Sequence, residues 1–254
     1  MAGRPLAHAP RAVKRFYETA RTTEQGAIEL DGKPVRTPAG APLILPTPAL
    51  AEAVAAEWNA QGDKVDPRSM KLTGLANAAI DRVAPDSDHF ARGLAAYGET
   101  DLLCYRAEAP PRLVERQSAA WDPILAWARR RYDVDFEVTA GILHRPQSPA
   151  TVERLTHAVL ARSAFELAAL SPLVTISGSL VVALALVEGA IGLESAWAAA
   201  ALDELWQVEK WGEDPEAAAA LAARRSDFEA AHRFLELLQS ENRLRAVESL
   251  NRSS

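Results

Sequence analysis

167-LAALSPLVTISGSLVVALALV-187 runs for 21 residues without a charge. That reaches the ~20 residues a membrane-spanning helix needs, so its reading decides between a membrane protein and a helical globular one. Ser171-Pro172, Thr175 and Ser177-Gly178-Ser179 interrupt the apolar run, and Glu166 and Glu188 bracket it. No basic cluster flanks either end as a topogenic anchor would. The stretch is therefore predicted to be a helix buried on all sides within a helical domain, and no membrane insertion is expected.

Outward toward the C-terminus, Leu193 to Trp211 reads as one further helix. Asp214-Pro215-Glu216 is a start signal for a last long helix reaching about Gln239, after which the polar residues 240–254 are expected to fray. Toward the N-terminus, Ser148-Pro149 opens a helix with Val152, Leu155 and Val159 along one side. Phe136 to Val138 reads as a lone strand. Pro111 to Ala120 is helical, and Asp122-Pro123 makes a kink or a fresh start. Leu102 to Tyr105 fits strand or helix. Asp86 to Tyr97 and Leu72 to Val83 are helices, the latter stopped by Pro85.

Before them, residues 15–45 have the character of short strands. Ala27-Ile28-Glu29-Leu30 alternates, Asp31-Gly32 supplies a tight hairpin turn, and Leu43-Ile44-Leu45 is a third apolar run. Thr47 as cap and Pro48 at the first helical position begin a covering helix carrying Leu50, Val54 and Trp58, closed by Gly62. The expected fold is α+β: a small β-containing N-terminal domain over residues 1–84, then a larger, mostly α-helical domain over 85–254.

Composition narrows the function. The 254 residues carry a net charge of −6 with a pI near 5.5, without the basic footprint that nucleic-acid binding requires. Arg129-Arg130-Arg131 and Arg224-Arg225 read as solvated helix faces. Cys104 is the only cysteine, which excludes an internal disulfide and a four-thiolate zinc site. The five histidines lie far apart, no Gly-rich phosphate loop is present, and Ser177-Gly178-Ser179 lacks the frame of a nucleophile elbow. No metal or cofactor is implied. Arg4, Arg11, Lys14 and Arg15 without an acid resemble a short transit peptide, but no apolar segment follows, and Met1 to Pro10 reads as a loose terminus.

One residue stands out. On a helical wheel over 193–211, Trp197, Ala201, Val208 and Trp211 share a side with Glu204 at its centre, while Asp203 and Lys210 point the opposite way. A carboxylate inside an apolar stripe must be satisfied or stay exposed. Glu204 is then bridged to an arginine, or a contact residue on a partner-binding face, or a catalytic acid. Trp is also enriched in binding hot spots. The candidate partner-binding residues are Glu204, Trp197, Trp206, Val208, Trp211 and Trp58. A small-molecule binder or hydrolase with a carboxylate-based site is the competing reading.

Lys14-Arg15-Phe16-Tyr17 and Leu30-Asp31-Gly32-Lys33-Pro34-Val35-Arg36-Thr37-Pro38 resemble the opening of the ATP synthase assembly factor 2 family. Glu57-Trp58 with Gln61, Asp101 to Arg106, Trp121-Asp122-Pro123-Ile124, and Trp206-Gln207 with Lys210-Trp211-Gly212 follow in the family's order, spanning about residues 14–213. The resemblance implies a non-catalytic chaperone that binds the unassembled α subunit of F-type ATP synthase until the β subunit replaces it. It implies no ATP and no metal; the free chain is expected to be a monomer. The family it resembles occurs in mitochondria and in some related bacteria; without a long presequence the bacterial cytoplasm is expected, with the mitochondrial matrix as alternative. The Ala-rich segment after Gly212 matches no family motif.

Overall fold

The computed structural model describes residues 13–141 and 143–251, with side chains up to residue 240; the expected loose terminus over Met1 to Pro10 lies outside the described residues. β1 (Val13–Lys14) pairs antiparallel with β5 (Lys64–Val65). β2 (Ala20–Thr22), β3 (Ile28–Leu30) and β4 (Lys33–Pro34) form an antiparallel sheet in that order. The β3–β4 hairpin turns through Asp31 (φ 49°) and Gly32 (φ 78°), the left-handed pair expected of a tight two-residue turn. The Asp31 carboxylate accepts hydrogen bonds from the Thr19 and Glu18 amides, which hold it below the usual carboxylate range.

Leu43-Ile44-Leu45 does not extend into a strand. It makes a single bridge, Ile44 to Ala27, flanked by Ile28 N–H donating to Leu43 O and Leu45 N–H donating to Gly26 O. The close approach depends on Gly26, whose φ is +79° and whose missing Cβ would lie 2.4 Å from Leu45 O. Gly26→Ala is expected to cost about 2 kcal/mol through strain and clash, read as a lowered urea midpoint with an unchanged slope.

α1 (Pro48–Asn59) covers this sheet with Leu50, Ala51, Val54 and Ala55 buried, and Thr47 Oγ1 accepts from Leu50 N–H as the cap. The helix ends at Asn59 rather than at Gly62, because the Asn59 amide pairs with both backbone groups of Ala20 (2.8 and 2.9 Å) like one more strand rung. The Glu57 carboxylate accepts from the Leu72 and Thr73 amides and the Thr73 hydroxyl, serving as the N-terminal cap that α2 (Lys71–Ala78) lacks of its own. α2 continues as a π-helical turn over Ala79–Val83.

α3 (Ser87–Ala95) is capped by Asp86, which accepts from His89 N–H. A 3-10 turn over Leu102–Cys104 leads into β6 (Tyr105–Arg106). α4 (Pro111–Tyr132) runs through Pro123 as one helix. The strand expected at Phe136 to Val138 does not form: the Gln147 side chain takes both backbone groups of Glu137. Pairing starts instead at β7 (Thr139–Ala140), parallel to β6.

After α5 (Pro149–Leu160), the 21-residue uncharged stretch resolves into two helices, not one. α6 (Ala164–Ser177) ends at Gly178 (φ 65°), and Ser179 caps α7 (Leu180–Val187), all eight residues of which are buried. Among the described residues no helix is long and apolar enough to cross a membrane. Asp101 ties this centre together: Oδ1 accepts from Leu103 N–H and the Ser179 hydroxyl, and Oδ2 from Val181 N–H.

The expected helix over 193–211 is also two, α8 (Leu193–Ala200) and α9 (Leu202–Trp211), broken where Ala201 leaves helical geometry (φ −99°, ψ 14°). Ala is the strongest helix former, so the break comes from packing around it. α10 (Pro215–Asn251) extends beyond the expected end and packs on α6, α2 and α1, with the Thr47 hydroxyl donating to Leu237 O.

Candidate functional site

α9 is held to the body by two buried side chains, Leu202 and Trp206. Two cations lie over the Trp206 ring: the Arg116 guanidinium 5.0 Å and the Lys210 ammonium 4.6 Å from its centre. Arg116 also donates to Glu209 at 2.7 Å, which holds that carboxylate below its ordinary range. One turn before the break, Trp197 packs on Phe228 of α10 with ring centres 5.8 Å apart. Trp197 and Trp206 are each only 6 % exposed, so both serve the fold and offer little surface to a partner.

The outward face is different. Leu205, Val208 and Trp211, spaced three apart on one helical stripe, are 40, 38 and 78 % exposed. Glu204 lies beside them and accepts from Arg224 of α10 at 2.9 Å, both side chains being part-exposed. The bridge to an arginine is therefore real, but it sits at the surface and not inside. Trp58 stands apart: it packs edge-on against Tyr17, whose hydroxyl donates to Trp58 O, and lines none of the hollows around α9. The structure thus groups Glu204, Val208 and Trp211, seats Trp197 beneath them, turns Trp206 inward, and separates Trp58. Leu205 escaped the sequence reading because it lies 100° round the wheel from Glu204, at the margin of the chosen stripe.

Hollows flank this ridge on both sides. A groove of about 630 Å³ runs between α9 and the first turns of α10, over Leu205, Val208, Trp211 and Leu221 with Trp197 in its lining. A second, of about 610 Å³, separates α9 from Tyr105, Pro110 and Leu113 and is also lined by Trp211. A third, about 510 Å³ and largely apolar, lies between α4 and α8 and reaches Leu205. Among the described residues no cluster of three His, Cys, Asp or Glu side chains is placed to hold a metal.

Most of the signature residues quoted above are consumed by the fold. Arg15 donates to the carbonyls of Tyr17, Glu18 and Gln61. Gln61 accepts from Asp66 N–H, and Arg106 lies over Trp121 and bridges to Asp122. Trp211 is the tryptophan among them left open to solvent, and Gly212 (φ 88°) turns the chain directly after it.

A family model described as ATP12 chaperone protein matches residues 14–129. The crystal structure of Atp12 from Paracoccus denitrificans is 42 % identical, with a TM-score of 0.83 over 89 % of this chain and 98 % of that one. The chain belongs to the ATP12 chaperone family. A point variant of the same Paracoccus protein matches equally well, over 97 % of its length. The mitochondrial protein atp12 of Schizosaccharomyces pombe is 26 % identical over 214 residues, 78 % of this chain and 74 % of that one. The expectation of a non-catalytic chaperone with an α+β fold is borne out by this membership and by the strand-then-helix order of the ATP12 chain.

Proposed function

We propose that this ATP12 chaperone holds the unassembled α subunit of F-type ATP synthase on the outer face of α9 and yields it when the β subunit arrives. An unassembled subunit exposes an apolar interface and tends to aggregate, and a holder needs a complementary apolar surface with a few orienting charges. The observation that carries the reading is Trp211: a signature residue, 78 % exposed, standing between two grooves. Burying such a ring against a client is the kind of anchor that dominates interfaces.

Trp211→Ala should weaken binding of isolated α subunit by about 30-fold, the equivalent of about 2 kcal/mol, with the circular dichroism spectrum unchanged. Wild-type affinity in that variant would remove the proposed site. Glu204→Lys should also weaken binding, since it sets a positive charge beside Arg224 on the docking face. Because the Glu204–Arg224 pair is part-exposed, folding stability should shift by no more than about 1 kcal/mol. A large loss of stability would make Glu204 a structural residue.

The free chaperone acts as a monomer in this reading, which equilibrium sedimentation tests. Its location is the bacterial cytoplasm, with the mitochondrial matrix as alternative; relatives come from a bacterium and from a fungal mitochondrion. Fractionation of the native cell decides between them.

A further inference from the structure

We propose that the client segment seated on α9 is cationic: an apolar stretch bracketed by arginine or lysine. This rests on α9 being the client site and adds the chemistry of what it accepts. Residues 203–216 hold six acids and one lysine, a net charge of −5 against −6 for the whole chain. The segment that carries the exposed apolar stripe is therefore strongly acidic.

Internal pairing leaves much of that charge uncompensated. Glu204 and Glu209 are bridged to Arg224 and Arg116. Asp203, Glu213, Asp214 and Glu216 form no ion pair among the described residues, and neither does Glu108, across the second groove from Trp211. Two of these acids are fixed without being neutralised. Asp203 accepts from the Gln117 amide at 2.8 Å, and Asp214 accepts from Ala217 N–H as the cap of α10.

Nearby cations are also engaged: Arg225 pairs with Glu194 and Glu229, and Lys210 lies on Trp206 and 3.6 Å from the already bridged Glu209. Arg112 forms no ion pair among the described residues, and it lines the hollow on the Lys210 side of the ridge. Acid thus stands on both flanks of Trp211, whose ring face itself attracts cations. An apolar patch with an acidic rim complements an apolar segment with a basic one. Such rim charges act through long-range steering, so they set the association rate and its salt dependence.

The test compares association of isolated α subunit with wild type and with the double variant Glu108→Lys/Glu213→Lys, both positions being exposed. At 50 mM NaCl the variant should associate about tenfold more slowly, and at 500 mM NaCl the difference should fall to within about twofold as screening takes over. Glu108→Gln/Glu213→Gln should show a smaller slowing in the same direction, and it carries the test if the lysine pair loses its circular dichroism signal. A wild-type association rate and salt slope in these variants, with Trp211→Ala still defective, overturns the cationic partner alone. Wild-type affinity in Trp211→Ala overturns the site and this inference with it.

Discussion

Trp121→Ala is expected to destabilise the protein by about 4 kcal/mol, within the range for removing a large aromatic ring from a core. Trp121 is fully buried in α4, and its indole N–H donates to Ala199 O at 2.9 Å, pinning α8 to α4. The same ring lies 5.1 Å under the guanidinium of Arg106, itself almost wholly buried. The substitution therefore opens a cavity, leaves a buried carbonyl without its donor and strips the apolar cover from a charge. Chemical denaturation measures the loss. A cost below about 1 kcal/mol would mean that the neighbouring helices collapse into the space. Because α9 follows α8 directly, client affinity should fall with it, although Trp121 touches no client in this scheme.

The second large effect belongs to Asp101. Its carboxylate is entirely buried, and burial pushes its pKa up to about 6, against the downward pull of bonds from the Ser179 hydroxyl and the amides of Val181, Leu103 and Leu180. An unfolded chain returns it to near 4. A raised native pKa means that the folded state holds the proton more tightly. The associated stability is fully present below about pH 4 and is lost as pH rises through 6. The span corresponds to on the order of 3 kcal/mol.

Asp101→Asn should flatten this component of the pH profile of the urea midpoint between pH 4 and 7. It should also lower stability at acidic pH, by about 1–3 kcal/mol, because an amide NH₂ then faces the Val181 N–H that Oδ2 now accepts. A variant with the wild-type slope would show that Asp101 ionises normally in the native state.

Local punctuation was readable from the chain. Thr47-Pro48, Ser148-Pro149, Asp86 and Asp214-Pro215 each begin a helix, and Asp31-Gly32 makes its hairpin. These signals lie within a few residues of their effect, so a linear reading catches them. The misreadings share a different cause. Asn59 reaches 39 residues back to Ala20, and Gln147 reaches ten back to Glu137, and a side chain that satisfies a distant backbone leaves no local trace.

The break at Ala201 is of the same kind. Its residue type favours helix, yet Trp197 is drawn onto Phe228 and Trp206 under Arg116. That break is why a wheel drawn through 193–211 placed Trp197 on the outer stripe. The face itself was legible from Glu204 onward, because Val208 and Trp211 keep the helical period beyond the break. Trp58 could not be separated from the group by sequence, since only the folded chain shows Tyr17 beside it.

The attachment of α9 through Leu202 and Trp206 bears on how such a chaperone keeps pace with a diverging client. Burial grips two inward positions, and on the docking face proposed above the exposed Leu205, Val208 and Trp211 answer chiefly to the client. On that proposal a change in the client can be met by rewriting a ten-residue cassette, and exchanging the cassette between species should carry the preference with it.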